Sequence, residues 1–304
     1  MKRRFLYLSL FLIFIPFLLT FRVKNYETKG NNIIIVSFTI LEDIVKNIAG
    51  DEFVVYSITD PGDEVHGYKP TPRDLVKGSD AVMFIENGLG FELWADKYFS
   101  NLDAMRITIS DNIEPIYITE DNYSGKPNPH AWISPKRGDI YIDTIVTALI
   151  ELKPESKDIF LRNGEIYKSR LSEIDKEFSL FLNTLEKNQR YLVSCEGAFS
   201  YLTNDYGLEE AYLWPVNAES GITAKRMAKV IEIVKENSIP AVFCESTVSS
   251  ESQLTVVEET GAIFGGNFFV DSLSVEDGPA STYLDLLEYN LMLIKNAFTI
   301  NKES

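Results

Sequence analysis

The chain contains only two histidines, His66 and His130, and their surroundings match. His66 lies five residues before Thr71-Pro72 and His130 four residues before Ser134-Pro135. Thr or Ser suits the cap of a helix and Pro its first position, so each imidazole is expected just ahead of a helix start, on a firmly held turn. A lone histidine is ordinarily a satisfied surface or core residue. Two of two in equivalent settings point instead to shared work. Three carboxylates stand in comparable places further along, each at the carboxyl end of a strand-like run: Glu196, Glu245 and Asp271. Singly, each reads as a helix cap or a solvated charge. Two imidazoles facing two of these carboxylates would make a mixed nitrogen/oxygen site whose negative charges offset a divalent cation. The residue pattern alone does not say which two of the three.

Positioning such donors needs strands that end together. From residue 31 onward strand-like and helix-like segments alternate: Asn32–Phe38, Phe53–Ile58, Ala81–Glu86 and Met105–Ile109 read as strands, with a helix over Thr39–Ile48. This rhythm argues for a parallel sheet flanked by helices, and in open sheets of that kind ligands bind beyond the carboxyl ends of the strands. It breaks between about Glu155 and Arg190. There Pro154 fits a helix start, and apolar residues recur at Ile159, Phe160, Ile166, Tyr167, Leu171, Ile174, Phe178 and Leu182. A helix of that length, about 50 Å, would cross a whole domain and act as a spine. Strands then resume at Tyr191–Cys195, Ala211–Trp214, Ala241–Cys244 and Asn267–Val270. Helices are expected at Ala198–Tyr206, Ala224–Glu236, Glu251–Gly261 and Thr282–Phe298. The predicted fold class is α/β: two lobes (31–153 and 191–304), each a mainly parallel sheet with helices and its own core, joined by one long helix over 154–190.

Composition sets the compartment and excludes some partners. Of 304 residues, 45% are hydrophobic and 24% charged, as in an ordinary globular protein. Lys2, Arg3 and Arg4 precede an apolar run from Phe5 to Phe21, the order of a secretory signal or an uncleaved anchor, so residues 1–30 are set apart from the fold. That segment carries six basic and one acidic side chain, which turns −16 for the chain into −21 for residues 31–304. Such a charge excludes nucleic acid, which rewards basic patches, and suits attraction of cations. Cys195 and Cys244 are the only cysteines. Each ends a strand-like run, and because bridges between neighbouring strands are strained the two are expected to stay unpaired.

Four segments together resemble the metal-binding solute-binding proteins of ABC importers, the cluster that handles manganese, zinc and iron. His66-Gly67-Tyr68-Lys69-Pro70-Thr71-Pro72-Arg73-Asp74 is similar to that family's His-x-Tyr-x-Pro-Thr-Pro-x-Asp, and Asn128-Pro129-His130-Ala131-Trp132 to its Asp-Pro-His-x-Trp. Glu196-Gly197-Ala198-Phe199-Ser200-Tyr201 resembles the third motif, where zinc carriers usually have His in place of Glu196, and Asp271-Ser272-Leu273 the fourth. The run from Ser272 to Leu287 looks like the manganese/iron branch. Val65 and Asn128 depart from the pattern, each standing where the family usually has Asp.

The resemblance implies His66, His130, Glu196 and Asp271 as ligands, and so chooses against Glu245. It implies capture of one divalent ion outside the cytoplasmic membrane, without catalysis, and delivery to a membrane permease with its ATPase by a monomer. The segment Glu114–Pro127 is short and lacks the His-rich insertion common in zinc carriers, which with Glu196 favours Mn2+ or Fe2+ over Zn2+. A zinc carrier of the same family, an exported mononuclear metalloenzyme and a surface adhesion protein are the alternatives. A single stiff spine implies limited movement between lobes.

Overall fold

The computed structural model describes residues 32–120, 123–186, 189–216 and 222–300. The expected signal or anchor over residues 1–30 lies outside them. No helix among the described residues is long and apolar enough to cross a membrane.

The first lobe is a four-stranded parallel sheet in the order β2-β1-β3-β4, made by β1 (Ile33–Val36), β2 (Val54–Ser57), β3 (Met83–Glu86) and β4 (Met105–Thr108). Strands β1 and β3 are central and almost wholly buried, as the unbroken apolar runs Ile33-Ile34-Ile35-Val36 and Met83-Phe84-Ile85 require of strands covered on both faces. Helices α1 (Thr39–Ala49), α2 (Pro72–Ser79), α3 (Ala95–Phe99) and α4 (Pro135–Leu152) flank it.

The spine is α5, Lys157–Leu182. Its 26 residues make about 39 Å, shorter than the periodicity alone suggests, because a 3-10 turn over Pro154–Ser156 precedes it and the helix stops at Asn183. Gly138 on α4 meets it closely: a Cβ there would sit 2.5 Å from Leu171 and 2.9 Å from the Tyr283 hydroxyl.

The second lobe holds β5 (Tyr191–Glu196), α6 (Ser200–Tyr206), β6 (Glu209–Trp214), α7 (Ala224–Glu236), β7 (Ala241–Glu245), α8 (Glu251–Thr260), β8 (Ile263–Phe268) and α9 (Tyr283–Ile300). Its strands pair in parallel as β5-β6 and β7-β8. Strand β8 begins four residues earlier than the sequence predicts. Gly265 and Gly266 hide it, yet Gly265 is required, since a Cβ there would lie 2.2 Å from the Phe243 ring. Asp271 consequently follows the strand by three residues instead of ending it.

Two expectations are corrected. Cys195 and Cys244 form a disulfide, with Cα atoms 4.7 Å apart. They lie on β5 and β7, which run side by side but belong to different ladders, and the spacing falls within the ordinary range for a bridge. Nor does each lobe keep a core to itself. One continuous apolar cluster runs from β1 and α1 through α4 and α5 to Phe199, Phe243, Phe268 and the inner face of α9. A smaller one, including Val193, Leu213, Val234, Val242 and both cysteines, fills the outer side of the second lobe against α7 and α8.

The disulfide closes a loop between residues 49 apart in sequence, for which chain entropy gives about 4 kcal/mol of stabilisation. The double variant Cys195→Ser/Cys244→Ser is expected to unfold in denaturant with 2–4 kcal/mol less stability, roughly, a loss that equilibrium urea titration would read.

Candidate metal centre

Each histidine is held by its own local device. Ahead of α2, Thr71 and Asp74 form a reciprocal capping box with Pro72 in the first helical turn, as the spacing predicts. The loop before it is tied down by Glu64, whose carboxylate accepts the His66 and Gly67 backbone N–H groups at 2.8 Å each, and by Trp94, whose indole donates to the Val65 carbonyl at 2.8 Å. His130 is followed by a 3-10 turn, Ala131–Ile133, and then α4. Ser134 occupies the cap position there, but its hydroxyl donates to Asp205 at 2.7 Å instead of capping the helix.

The carboxylates come from the second lobe. Glu196 ends β5, and its backbone N–H donates to Glu245 Oε2 at 3.1 Å. The segment carrying Asp271 is pinned from three sides. Asn290 on α9 exchanges two hydrogen bonds with Phe269 (3.0 and 2.7 Å), Trp132 donates to the Val270 carbonyl at 2.9 Å, and the Leu273 N–H donates to Thr39 at 2.9 Å.

These elements bring His66, His130, Glu196 and Asp271 together. The two Nε2 atoms are 3.3 Å apart. His66 Nε2 lies 3.6 Å from Glu196 Oε1 and 3.7 Å from Asp271 Oδ2, and His130 Nε2 lies 3.6 Å from Glu196 Oε1 and 3.4 Å from Asp271 Oδ1. Donors bound to one ion at about 2.1 Å stand roughly 3.0–3.5 Å apart in octahedral or tetrahedral shells, close to these spacings. All four side chains are at most 6% exposed. Glu245 is also buried but serves as a support beneath Glu196: one oxygen takes the Glu196 N–H and the other has no hydrogen-bond partner.

The pocket is rich in electron pairs. His130 Nδ1 lies 2.8 Å from Asn128 Oδ1, an acceptor, so this nitrogen carries the proton and Nε2 presents a bare lone pair. Asp271 Oδ1 is buried without a hydrogen-bond partner. Burial pushes both imidazoles down, to about 4, and this outweighs the opposing pull of Asp271 on His66 and of Glu196 on His130. Burial also pushes the Asp271 carboxyl up to about 6 and that of Glu245 well above its usual range, the latter with help from the Glu196 charge. Such a convergence of buried lone pairs suits a positive charge at its centre.

Phe91 supplies much of the dry wall. Its ring meets His66 edge-on at 4.6 Å between centroids and packs on Trp132 at 4.7 Å. It is placed by a turn in which Leu89, a non-glycine, takes φ 53°, between Gly88 and Gly90 at φ 84° and 82°. Glu92 holds that turn by accepting from Asn87 N, Gly88 N and Ser37 Oγ at 2.7, 3.1 and 2.6 Å. No sequence signal marked Phe91 or Glu92, whereas Trp132 and Asn128 sit inside the second motif and were visible there.

A family model described as zinc-uptake complex component A, periplasmic, matches residues 34–297. The chain belongs to this family. Among its relatives, the iron-binding protein YfeA of Yersinia pestis is 44% identical over 266 residues, covering 87% of this chain and 86% of that protein. The manganese ABC transporter substrate-binding lipoprotein PsaA of Streptococcus pneumoniae is 31% identical over 266 residues, covering 85% and 86%. The manganese-bound periplasmic metal-binding protein of Candidatus Liberibacter asiaticus superposes with a TM-score of 0.82 at 35% identity, over 88% of this chain and 99% of that one. The family is a transport component, and its two-lobed α/β fold with a long connecting helix is the one described above.

The depressed imidazoles have a signed consequence. In the unfolded chain they titrate near 6.5, so acidification from there toward about 4 favours unfolding, which takes up their protons. Asp271 acts oppositely: its raised carboxyl favours the folded state at low pH, an advantage lost as pH rises through about 6. With two histidines in the chain, proton NMR of the metal-free protein is decisive. Neither ring is expected to gain its proton above about pH 5; a ring titrating at its ordinary 6.5 would refute this account of the pocket.

Proposed function

We propose that this protein captures one divalent metal ion, Mn2+ or Fe2+, outside the cytoplasmic membrane and delivers it to the permease and ATPase of an ABC importer. His66 and His130 bind it through neutral imidazoles, and Glu196 and Asp271 supply the charge. The observation that carries this reading is the meeting of four buried donors, two from each lobe, with both imidazoles kept unprotonated at neutral pH. Capture therefore requires no proton removal from histidine at pH 7. The protein acts as a monomeric carrier and not as an enzyme: four protein donors enclose the ion, and the walls around it are apolar side chains such as Phe91. The two capturing halves are residues 31–153 and 191–304, with 154–190 as the link.

The choice of ion rests on ligand chemistry. Two carboxylates and two imidazoles without thiolate suit manganese and ferrous iron, and the two cysteine sulfurs, bound to each other, are not free to serve a softer metal. Relatives named for iron and manganese support the same choice. Zinc is the second reading: the matching family model is named for it, and it outranks both ions in intrinsic affinity for nitrogen and oxygen donors.

Protein purified without added metal or chelator is expected to carry one equivalent of manganese or iron by mass spectrometry. His130→Ala and Glu196→Ala should each weaken Mn2+ binding at least about 100-fold, since losing a ligand costs no less than losing its support. Failure to bind manganese, iron or zinc under any loading condition would overturn the proposal. Competition titrations should show affinity level above pH 7 and falling below about 6 as Asp271 takes up its proton. The fall should steepen toward 4, where both imidazoles follow.

A further inference from the structure

Asn128 stands where the family usually has Asp, and its side chain reaches in two directions. Its Oδ1 faces the His130 backbone N–H at 3.1 Å and His130 Nδ1 at 2.8 Å. Its Nδ2 lies 2.6 Å from the Gly197 carbonyl and 3.2 Å from Ser200 Oγ, both in the second lobe. A backbone N–H can only donate and a carbonyl can only accept, so these partners leave the amide one possible orientation. The rest follows from that orientation. Oδ1 must accept from His130, which leaves Nδ2 to donate to Gly197, the residue directly after Glu196. Further contacts support the junction. The Tyr201 hydroxyl donates to the Asn128 carbonyl at 2.9 Å and accepts from the Ile116 N–H at 3.1 Å, while Ser200 Oγ donates to the half-buried Glu210 carboxylate at 2.6 Å. A carboxylate in place of the amide could still accept from His130. It has no proton for Gly197, and would set two acceptor oxygens against each other at hydrogen-bond distance.

We infer that Asn128 is a positioning residue that couples the two halves of the metal centre: its oxygen holds His130 with Nε2 bare, and its amide ties that histidine to the strand end presenting Glu196. The inference rests on the ligand reading above. Its consequence is a shell assembled before the ion arrives, with the first lobe's imidazole and the second lobe's carboxylate moving as one body. An aspartate at this position of the chain would keep the histidine lock and lose the tie between lobes.

The two halves of the device can be tested separately at pH 7. With two histidines in the chain, long-range proton–nitrogen NMR of the metal-free protein reads each tautomer directly. Asn128→Leu, which removes acceptor and donor, is expected to release His130 from its Nδ1-protonated form and to weaken Mn2+ binding at least tenfold, the scale for lost outer support. Asn128→Asp is expected to keep the Nδ1-protonated form but to raise amide hydrogen exchange over residues 196–200 at least about tenfold, as lost tethering demands. An unchanged tautomer in Asn128→Leu, or exchange within twofold of the parent in Asn128→Asp, would overturn the inference. If Asn128→Leu does not fold, the exchange result for Asn128→Asp decides alone. His130→Ala separates this from the reading beneath it. Wild-type Mn2+ affinity in that variant would remove the ligand assignment itself, whereas abolished binding beside two silent Asn128 variants would remove only the coupling.

Discussion

Two carboxylates and two unprotonated imidazoles with their lone pairs aimed at one point repel each other, and burial strips away the water that would soften that repulsion. The rest of the structure answers to this arrangement. Each donor is fixed by a neighbour that costs it mobility: Asn128 for His130, the Glu64 clamp for His66, Glu245 beneath Glu196, and Asn290 with Trp132 around Asp271. They hold an electrostatic cost that a cation at the centre relieves.

The apolar architecture supports that arrangement. A cluster that runs without a break from the first sheet through α5 to α9 leaves little room for the lobes to swing apart. Bonds between lobes reinforce it. Arg137 forks onto Asp205 at 2.8 and 2.6 Å, and Tyr283 at the start of α9 donates its hydroxyl to the Trp132 carbonyl and its backbone N–H to the Asp43 carboxylate at 3.0 Å. Near the site, the turn carrying Phe91 is held by the Glu92 carboxylate and, through Asn87, by Tyr141 and the Pro129 carbonyl.

Much of this was legible in the sequence because it is written in local chemistry. The strand–helix alternation, the Thr71-Pro72 helix start and the spine follow from spacing, while the choice of Glu196 and Asp271 over Glu245 beside the two histidines rests on the family resemblance. What stayed hidden depends on contacts between distant segments. The start of strand β8 is hidden because glycines weaken a strand signal, although Gly265 is there to admit the Phe243 ring. The disulfide escapes the sequence because a bridge between neighbouring strands is ordinarily strained. In fact β5 and β7 lie side by side in different ladders, and residue alternation turns Cys195 and Cys244 toward the same outer core. Neither the shared core nor the placement of Phe91 leaves a trace in any single stretch of chain.

The unbroken core also decides what kind of object this is. Two lobes with separate interiors could be exchanged between proteins, or expressed apart, like beads on a string. Here a cut within α5 would leave each fragment with an open apolar face where Leu171, Ile174 and Phe178 now pack. The lobes differ in parentage along the chain but not in fate: they must melt together and be inherited together, a single cooperative body whose two halves exist only in each other's company.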